Sequence, residues 1–414
     1  MISWLTLVWV LGFVYLARRH KDKVIFVLAL ILPTYLIKFW VLGIPTTWLE
    51  LAIYTVFIVW LVQYRQNYQK LFGWWSAYKV PLGLLGVGLL VGLVVSTQTT
   101  LSLGIIKGWF IDPVLLAMIL LSSQRQIKSI FQHASAGLVV AGVILSVVAI
   151  HQVVTGNFIT IDQRVSAWFT SANYLSLFLV PVMVLGWGLI VQTTRRQWRI
   201  SLIIAEILMA TALYFTLSYA GWLALLIGGL IFWILTQPRW LNLLWWGLGA
   251  SLVVVSQWQH PKFQQMLDLV GQSSSHVRLQ VWQTALLMIK QHWLTGIGLG
   301  LFEQRYLEFA NQIFHPPIEL IMLHSHNIFL QFWVNLGIVG VVGFAWLLVI
   351  WFKLIWSLVR ERNMIAITIV AVMVALLAHG MLDMAYWKND LSALFWVIFI
   401  LGVMAHEQKL SYRH

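Results

Sequence analysis

The chain has 414 residues, of which 61% are hydrophobic and only 9% charged. A soluble domain carries about 25% charged residues, so a water-soluble globular protein is excluded and lipid is the solvent for most of the chain; the mean hydropathy of +0.86 agrees. The absence of cysteine excludes disulfides, thiolate metal sites and cysteine nucleophiles, and the net charge of +13 fits basic loops at a membrane better than nucleic-acid binding.

Apolar runs fall near residues 2–17, 24–44, 48–64, 80–96, 103–121, 131–151, 172–192, 200–217, 220–235, 241–257, 327–352, 364–379 and 391–405. At about 20 residues per crossing they predict an all-α polytopic membrane protein with 12 or 13 transmembrane helices in a single membrane domain, 1–414. The first run is short, the fifth carries Lys107 and Asp112, and the eighth and ninth meet without a loop. Met1–Ala17 is apolar from its start, with the basic cluster after it, so it does not read as a cleavable signal peptide.

Basic residues set the orientation. One set of connections holds 18 of the 26 Lys and Arg, from Arg18, Arg19, Lys21 and Lys23 through Arg65, Lys70, Arg125, Arg195, Arg196, Arg199, Arg239, Arg360 and Arg362 to Lys409 and Arg413. The opposite set holds six: Arg164, Lys262, Arg278, Lys290, Arg305 and Lys388, with Lys38 and Lys107 inside spans near that side. Positive loops stay in the cytoplasm, which places the C-terminus there. The one long connection, 258–326, then faces outside. Within it, Val277, Val281, Ala285, Leu286 and Ile289 recur at helical spacing, predicting an amphipathic helix over 277–293 on or dipping into the outer membrane surface. A flexible glycine turn at Gly296, Gly298 and Gly300 follows, then a second helix near 301–313 and Pro316-Pro317. These helices would form a lid.

Polar groups near membrane depth are expensive and mark function. On the outer side they gather at Arg164, Ser171 and Asn173, at Arg278, at His324-Ser325-His326-Asn327, and at His379, Asp383, Asn389 and Asp390. Each has a plain alternative: His324 as an interfacial hydrogen-bonder, Arg278 as a lipid-phosphate anchor, Asn173 as a helix cap, Asp383 with Lys388 as a loop ion pair. Together they suit a diphosphate held by arginines, beside a histidine able to take a proton from a hydroxyl nucleophile. No acidic cluster suggests a divalent metal, since Asp268, Glu303, Glu308 and Glu319 are spread along the loop, and His324 with His326 is a weak zinc signal.

The segment from His326-Asn327 to Gly337-Ile338-Val339-Gly340 resembles the signature of the O-antigen ligase superfamily. Further segments resemble that family in the same order: Ser171-Ala172-Asn173-Tyr174-Leu175 with Arg164 upstream, Thr216 to Trp222, Arg278 to Ile289, Gly296 to Phe302, and His379 to Asp383. They cover roughly residues 160–400. The resemblance implies a GT-C-type, inverting, metal-independent glycosyltransferase without cofactor in a bacterial cytoplasmic (inner) membrane. It would move a glycan from undecaprenyl diphosphate to a lipid, glycan or protein acceptor on the outer face, in cell-envelope or lipopolysaccharide biosynthesis. His326 matches the catalytic histidine and Arg278 an arginine that holds the diphosphate; His324, Asn327, Tyr219, Asn173 and Asp383 would position acceptor or donor. Family members often carry an arginine where this chain has Tyr219. Arg164 or Arg305 would supply that charge, or the diphosphate is bound differently, or the protein is not an active ligase. O-antigen polymerases and protein O-oligosaccharyltransferases share the same features. A transporter, which would carry buried midplane charges or paired repeats, and a non-catalytic scaffold remain the alternatives from other classes.

Overall fold

A computed structural model describes residues 4–41, 43–63, 75–122, 126–160, 162–236, 240–267 and 273–411. Arg65, Lys70, Arg125, Arg239, Asp268 and Arg413 lie outside the described residues. In chain order the helices are α1 (Trp4–Arg19), α2 (Lys21–Leu30), α3 (Trp48–Gln63), α4 (Trp75–Val95), α5 (Thr99–Ile106), α6 (Asp112–Ser122), α7 (Ile127–Thr155), α8 (Ala172–Gln192) and α9 (Arg196–Thr216). They continue as α10 (Tyr219–Thr236), α11 (Trp240–Gln257), α12 (Pro261–Leu267), α13 (Ser274–Gln291), α14 (Phe302–Ala310), α15 (Ile328–Arg360), α16 (Met364–Gly380) and α17 (Asn389–Ser411).

Among the described residues, eight helices are long and apolar enough to cross a membrane: α4, the continuous Thr99–Ser122 segment, α7, α8, α9, α10, α15 and α17. Three apolar helices are shorter: α3, Trp246–Gln257 within α11, and α16. The chain is therefore an all-α multi-pass membrane protein. Beyond these three, the runs at 2–17 and 24–44 also fall short, so five of the 13 expected spans do not reach that length. The first forms α1, of 16 residues. The second breaks after α2, whose 10 residues reach only about 15 Å. Pro33 lies in a 3-10 turn, and an antiparallel hairpin follows, β1 (Lys38–Val41) with β2 (Ile44–Thr47), in which Lys38 pairs with Thr47. Lys38 thus sits on a strand rather than inside a helical span. The Lys107 of the fifth run lies in a π turn, Lys107–Ile111, with its ammonium 2.7 Å from Glu50; Tyr54 donates to Asp112 at 2.5 Å. Both charges are partnered, which is how that helix tolerates them.

Close backbone contact fixes the bundle near the loop. A Cβ added to Gly88 of α4 would lie 2.6 Å from the Gly340 Cα of α15, so these helices touch through their glycines. Gly337 breaks α15 with φ 66°, ψ −173°, and the 293–300 segment docks into the break. Ile338 N–H donates to Trp293 O at 3.0 Å and Ile297 N–H to Val334 O at 2.8 Å. Leu299 N–H reaches Gly92 O at 2.9 Å, and Gly300 N–H reaches Asn335 Oδ1 at 3.1 Å. The glycine turn read as flexible is instead bonded on both sides. Its glycines let backbone meet backbone: a Cβ on Gly296 would stand 2.4 Å from Val334 O. Helices α13 and α14 share a small core of Val281, Ala285, Met288, Phe302, Tyr306 and Phe309 with Val334 of α15.

Candidate active site

Helices α8, α10 and α17 begin, and α9, α11 and α16 end, at the same end of the bundle, where α12 and α13 cover them. The other end carries Arg195, Arg196 and Arg199 at the start of α9 and Arg360 and Arg362 at the end of α15, about 30 Å along helices of 21 residues or more.

His326 precedes the N-cap of α15. Its backbone is left-handed, φ 50°, a conformation histidine adopts more readily than most residues, and its carbonyl accepts from Trp282 Nε1 at 3.3 Å. The imidazole Nδ1 lies 3.3 Å from Asp383 Oδ1, and the side chain is 18% exposed, within reach of a substrate. Asp383 is 1% exposed. Burial pushes its carboxyl up, but the hydrogen bond and charge of His326, with His324 and Arg278, overcome this and hold it well below the usual carboxylate range. An ionised carboxylate only accepts, so His326 Nδ1 carries the proton and Nε2 keeps its lone pair.

Beside this pair, His324 packs edge-on against His326, centroids 4.5 Å apart, with Nε2 3.1 Å from the Tyr174 hydroxyl. Burial, then the neighbouring His326, push its imidazole down to about 3, so it is neutral at ordinary pH. His324, His326 and Asp383 each present one atom within 4.8 Å of the others, a donor set able to hold a divalent cation. The His-x-His spacing alone is a weak signal; Asp383, 57 residues on, completes the trio. Lys388 does not pair with Asp383; its ammonium stands over the Tyr174 ring, 3.1 Å from the centroid. Asn327 caps α15, accepting from Phe329 and Leu330 N–H, and donates to Met381 O at 3.1 Å, tying α15 to the 381–388 loop.

The arginines separate into two groups. Arg278, on α13, donates from Nε to Leu382 O at 2.9 Å and from a terminal nitrogen to Ser274 O at 3.3 Å. Arg164 is paired with Asp162 and donates to Asn173 Oδ1 at 3.1 Å and Thr216 O at 3.2 Å. Both line one cavity of about 680 Å³ with Asn173, Lys262, Glu319 and His326. Arg305 does not: it pairs with Glu308 on the surface of α14 and stacks on Phe309. Asn173 is therefore both the partner of Arg164 and part of the cavity wall, while Ser171 is the cap of α8.

A second cavity of about 840 Å³ opens from the first, sharing Arg164, Asn173, Leu217, Lys262, Ser274 and Arg278. Its remaining wall is mostly apolar, from Leu213 of α9, Leu223 and Leu226 of α10, and Ala250 and Val254 of α11, with Ser218, Ser275 and His276 among them. Tyr219 lies on this wall, its ring against Trp222 and Phe263 and its hydroxyl unpartnered among the described residues. A polar, cationic head chamber thus continues into an apolar groove between membrane helices.

Residues 204–345, from α9 into α15, match the family model described as O-antigen ligase. This stretch, about a third of the chain, is what the protein shares with the O-antigen ligase family. The match covers Tyr219, Arg278 and His326 and stops short of Arg164 and Asn173, which the fold brings to the same cavity, and of Asp383, which it brings to His326. No curated protein matches the chain. The match supports a glycosyltransferase-type enzyme. Residue by residue, the sequence pointed to His326, Arg278, Arg164 and Asp383. It did not single out Asp162, Trp282 or Lys262 as site residues, although Trp282 lies in the segment Arg278 to Ile289 and Lys262 among the outer basic residues.

Proposed function

We propose that this O-antigen ligase relative is an inverting, metal-independent glycosyltransferase that moves a glycan from undecaprenyl diphosphate to an acceptor hydroxyl at the outer face of a bacterial cytoplasmic membrane. The observation that carries the reading is the joining of the two cavities: guanidinium groups suit a diphosphate, and the apolar groove between α9, α10 and α11 suits the isoprenoid tail attached to it. The His326–Asp383 pair stands at the edge of the head chamber.

His326 Nε2 takes the proton of the acceptor hydroxyl. The acceptor oxygen attacks the anomeric carbon in line, the bond from that carbon to the phosphate oxygen breaks, and its electron pair leaves with undecaprenyl diphosphate. Asp383 stabilises the imidazolium that forms, and Arg164 and Arg278 stabilise the charge growing on the leaving group. One displacement inverts the anomeric configuration. Ligation to a lipid-borne acceptor is the default; polymerisation and protein glycosylation use the same donor and differ only in acceptor.

The test is transfer from purified donor in detergent with EDTA present, comparing the unmodified protein with His326→Ala, Arg278→Ala and Arg164→Ala. General-base removal is expected to lower turnover by about 10²–10⁴-fold, with EDTA harmless. Loss of transfer in EDTA, restored by zinc, would instead assign His324, His326 and Asp383 as a metal centre and end the metal-free reading. Full activity in the His326 variant would remove the proposed base.

A further inference from the structure

The fold accounts for two of the three cations in the head chamber. Arg164 is held by Asp162, Asn173 and Thr216, and Arg278 by Leu382 and Ser274. Lys262 lines both the chamber and the apolar groove, and its ammonium hydrogen-bonds to no described residue. Its position is nonetheless fixed. The backbone N–H of Lys262 donates to His260 Nδ1 at 3.2 Å, and the ring of the next residue, Phe263, packs on Tyr219 at 5.4 Å and Trp258 at 5.8 Å. An ammonium kept near two guanidiniums, with the nearby carboxylate Asp162 already paired to one of them, is repelled by its surroundings unless an anion arrives.

We propose that Lys262 is a donor-binding residue whose ammonium, with Arg164 and Arg278 at the junction of chamber and groove, takes an oxygen of the lipid diphosphate. This rests on the reading of the chamber as a lipid-diphosphate site and adds a third cation to it. The junction is where a headgroup passes into its tail, so the residue would read the phosphate next to the isoprenoid.

A proton linkage follows from the same surroundings. Burial, then the charge of Arg164, push the lysine down to about 7; Asp162 pulls it up and Arg278 pushes it further down. In the empty chamber Lys262 is charged below about pH 7 and loses its proton above it. A bound diphosphate restores the charge, so donor binding takes up a proton and weakens as pH rises. Asp162, Arg164, Arg278, His260, Glu319 and His326 face the same chamber, and their contributions are common to the unmodified protein and to Lys262→Arg.

The experiment is equilibrium binding of a polyprenyl diphospho-N-acetylglucosamine to the full-length protein in detergent, from about pH 6 to pH 9. Both phosphates of this probe are esterified, so its own charge is constant over that range. The unmodified protein is expected to lose up to about tenfold in affinity per pH unit above neutrality. Lys262→Met is expected to bind about 10–100-fold more weakly at pH 6 and to lose this slope. Lys262→Arg should keep the tight binding and flatten the slope, since an arginine stays charged throughout. If Lys262→Met does not fold, an arginine variant with an unchanged slope still overturns the proposal. Lys262→Met binding as well as the unmodified protein, with Arg278→Ala weakened, would overturn the lysine assignment and leave the transferase reading standing. An unmodified protein that binds no lipid diphosphate would overturn both.

Discussion

At the scale of single residues, Asp383 fixes the chemistry available to His326. Its Oδ1 accepts from the imidazole and from Met384 N–H at 2.9 Å, so the carboxylate is held in place by the chain next to it. Asp383→Asn keeps the shape but removes the charge that selects the Nδ1–H tautomer and stabilises the imidazolium. Turnover is expected to fall by about 10²–10⁴-fold with donor binding preserved, measured as kcat against donor affinity; unchanged turnover would mean that His326 only orients the acceptor. The pH behaviour follows from the sign of the shift. A carboxyl held below its usual value contributes stability that is fully present above the unfolded value of about 4, and that is lost only as pH falls through the folded value. Any loss of activity at mildly acid pH therefore arises from another group.

At the scale of elements, the break in α15 seats the 293–300 segment that follows α13. Gly337 lies at φ 66°, and a Cβ there would stand 2.0 Å from Leu294 O, backbone that cannot swing away. Gly337→Ala is expected to destabilise the protein by several kcal/mol, from backbone strain and from expelling the 293–300 segment. Gly86→Ala, whose added methyl meets nothing within 4 Å, should be neutral or stabilising by up to about 1 kcal/mol. Thermal unfolding followed by fluorescence-detected size exclusion separates the two, and equal melting temperatures would mean that the docked segment contributes nothing. This break also marks the limit of what the sequence discloses. Helices α7 to α10 and α15 to α17 are legible because lipid demands long apolar runs. The hairpin at 38–47 is hidden inside one such run, since hydropathy does not register that Pro33 and Gly43 turn the chain. The glycine turn reads as flexible because its partners, Val334 and Gly92, are distant in sequence and supply only backbone atoms. His326, Arg278 and Asp383 are visible singly as polar residues without lipid-compatible partners. Their convergence is not, because it depends on how α13, α15 and the 381–388 loop meet, and the same convergence leaves Arg305 outside.

For the whole molecule, the site and the main basic cluster lie at opposite ends of the bundle, and the positive-inside rule gives that axis a direction. Arg195, Arg196, Arg199, Arg360 and Arg362 would face the cytoplasm, and the chamber with α12, α13 and α14 would face outside, where a lipid-linked glycan meets its acceptor. A chain without cysteine allows a direct test of this orientation. Asn311→Cys, exposed at the end of α14, should react with a membrane-impermeant maleimide in intact spheroplasts, whereas Gln197→Cys, exposed near the start of α9, should react only after permeabilisation. The reverse pattern would turn the protein over and place the chamber on the side of nucleotide-sugar synthesis. Transfer from an already exported donor would then be untenable, although the geometry of His326, Asp383 and the cations around them would stand unchanged.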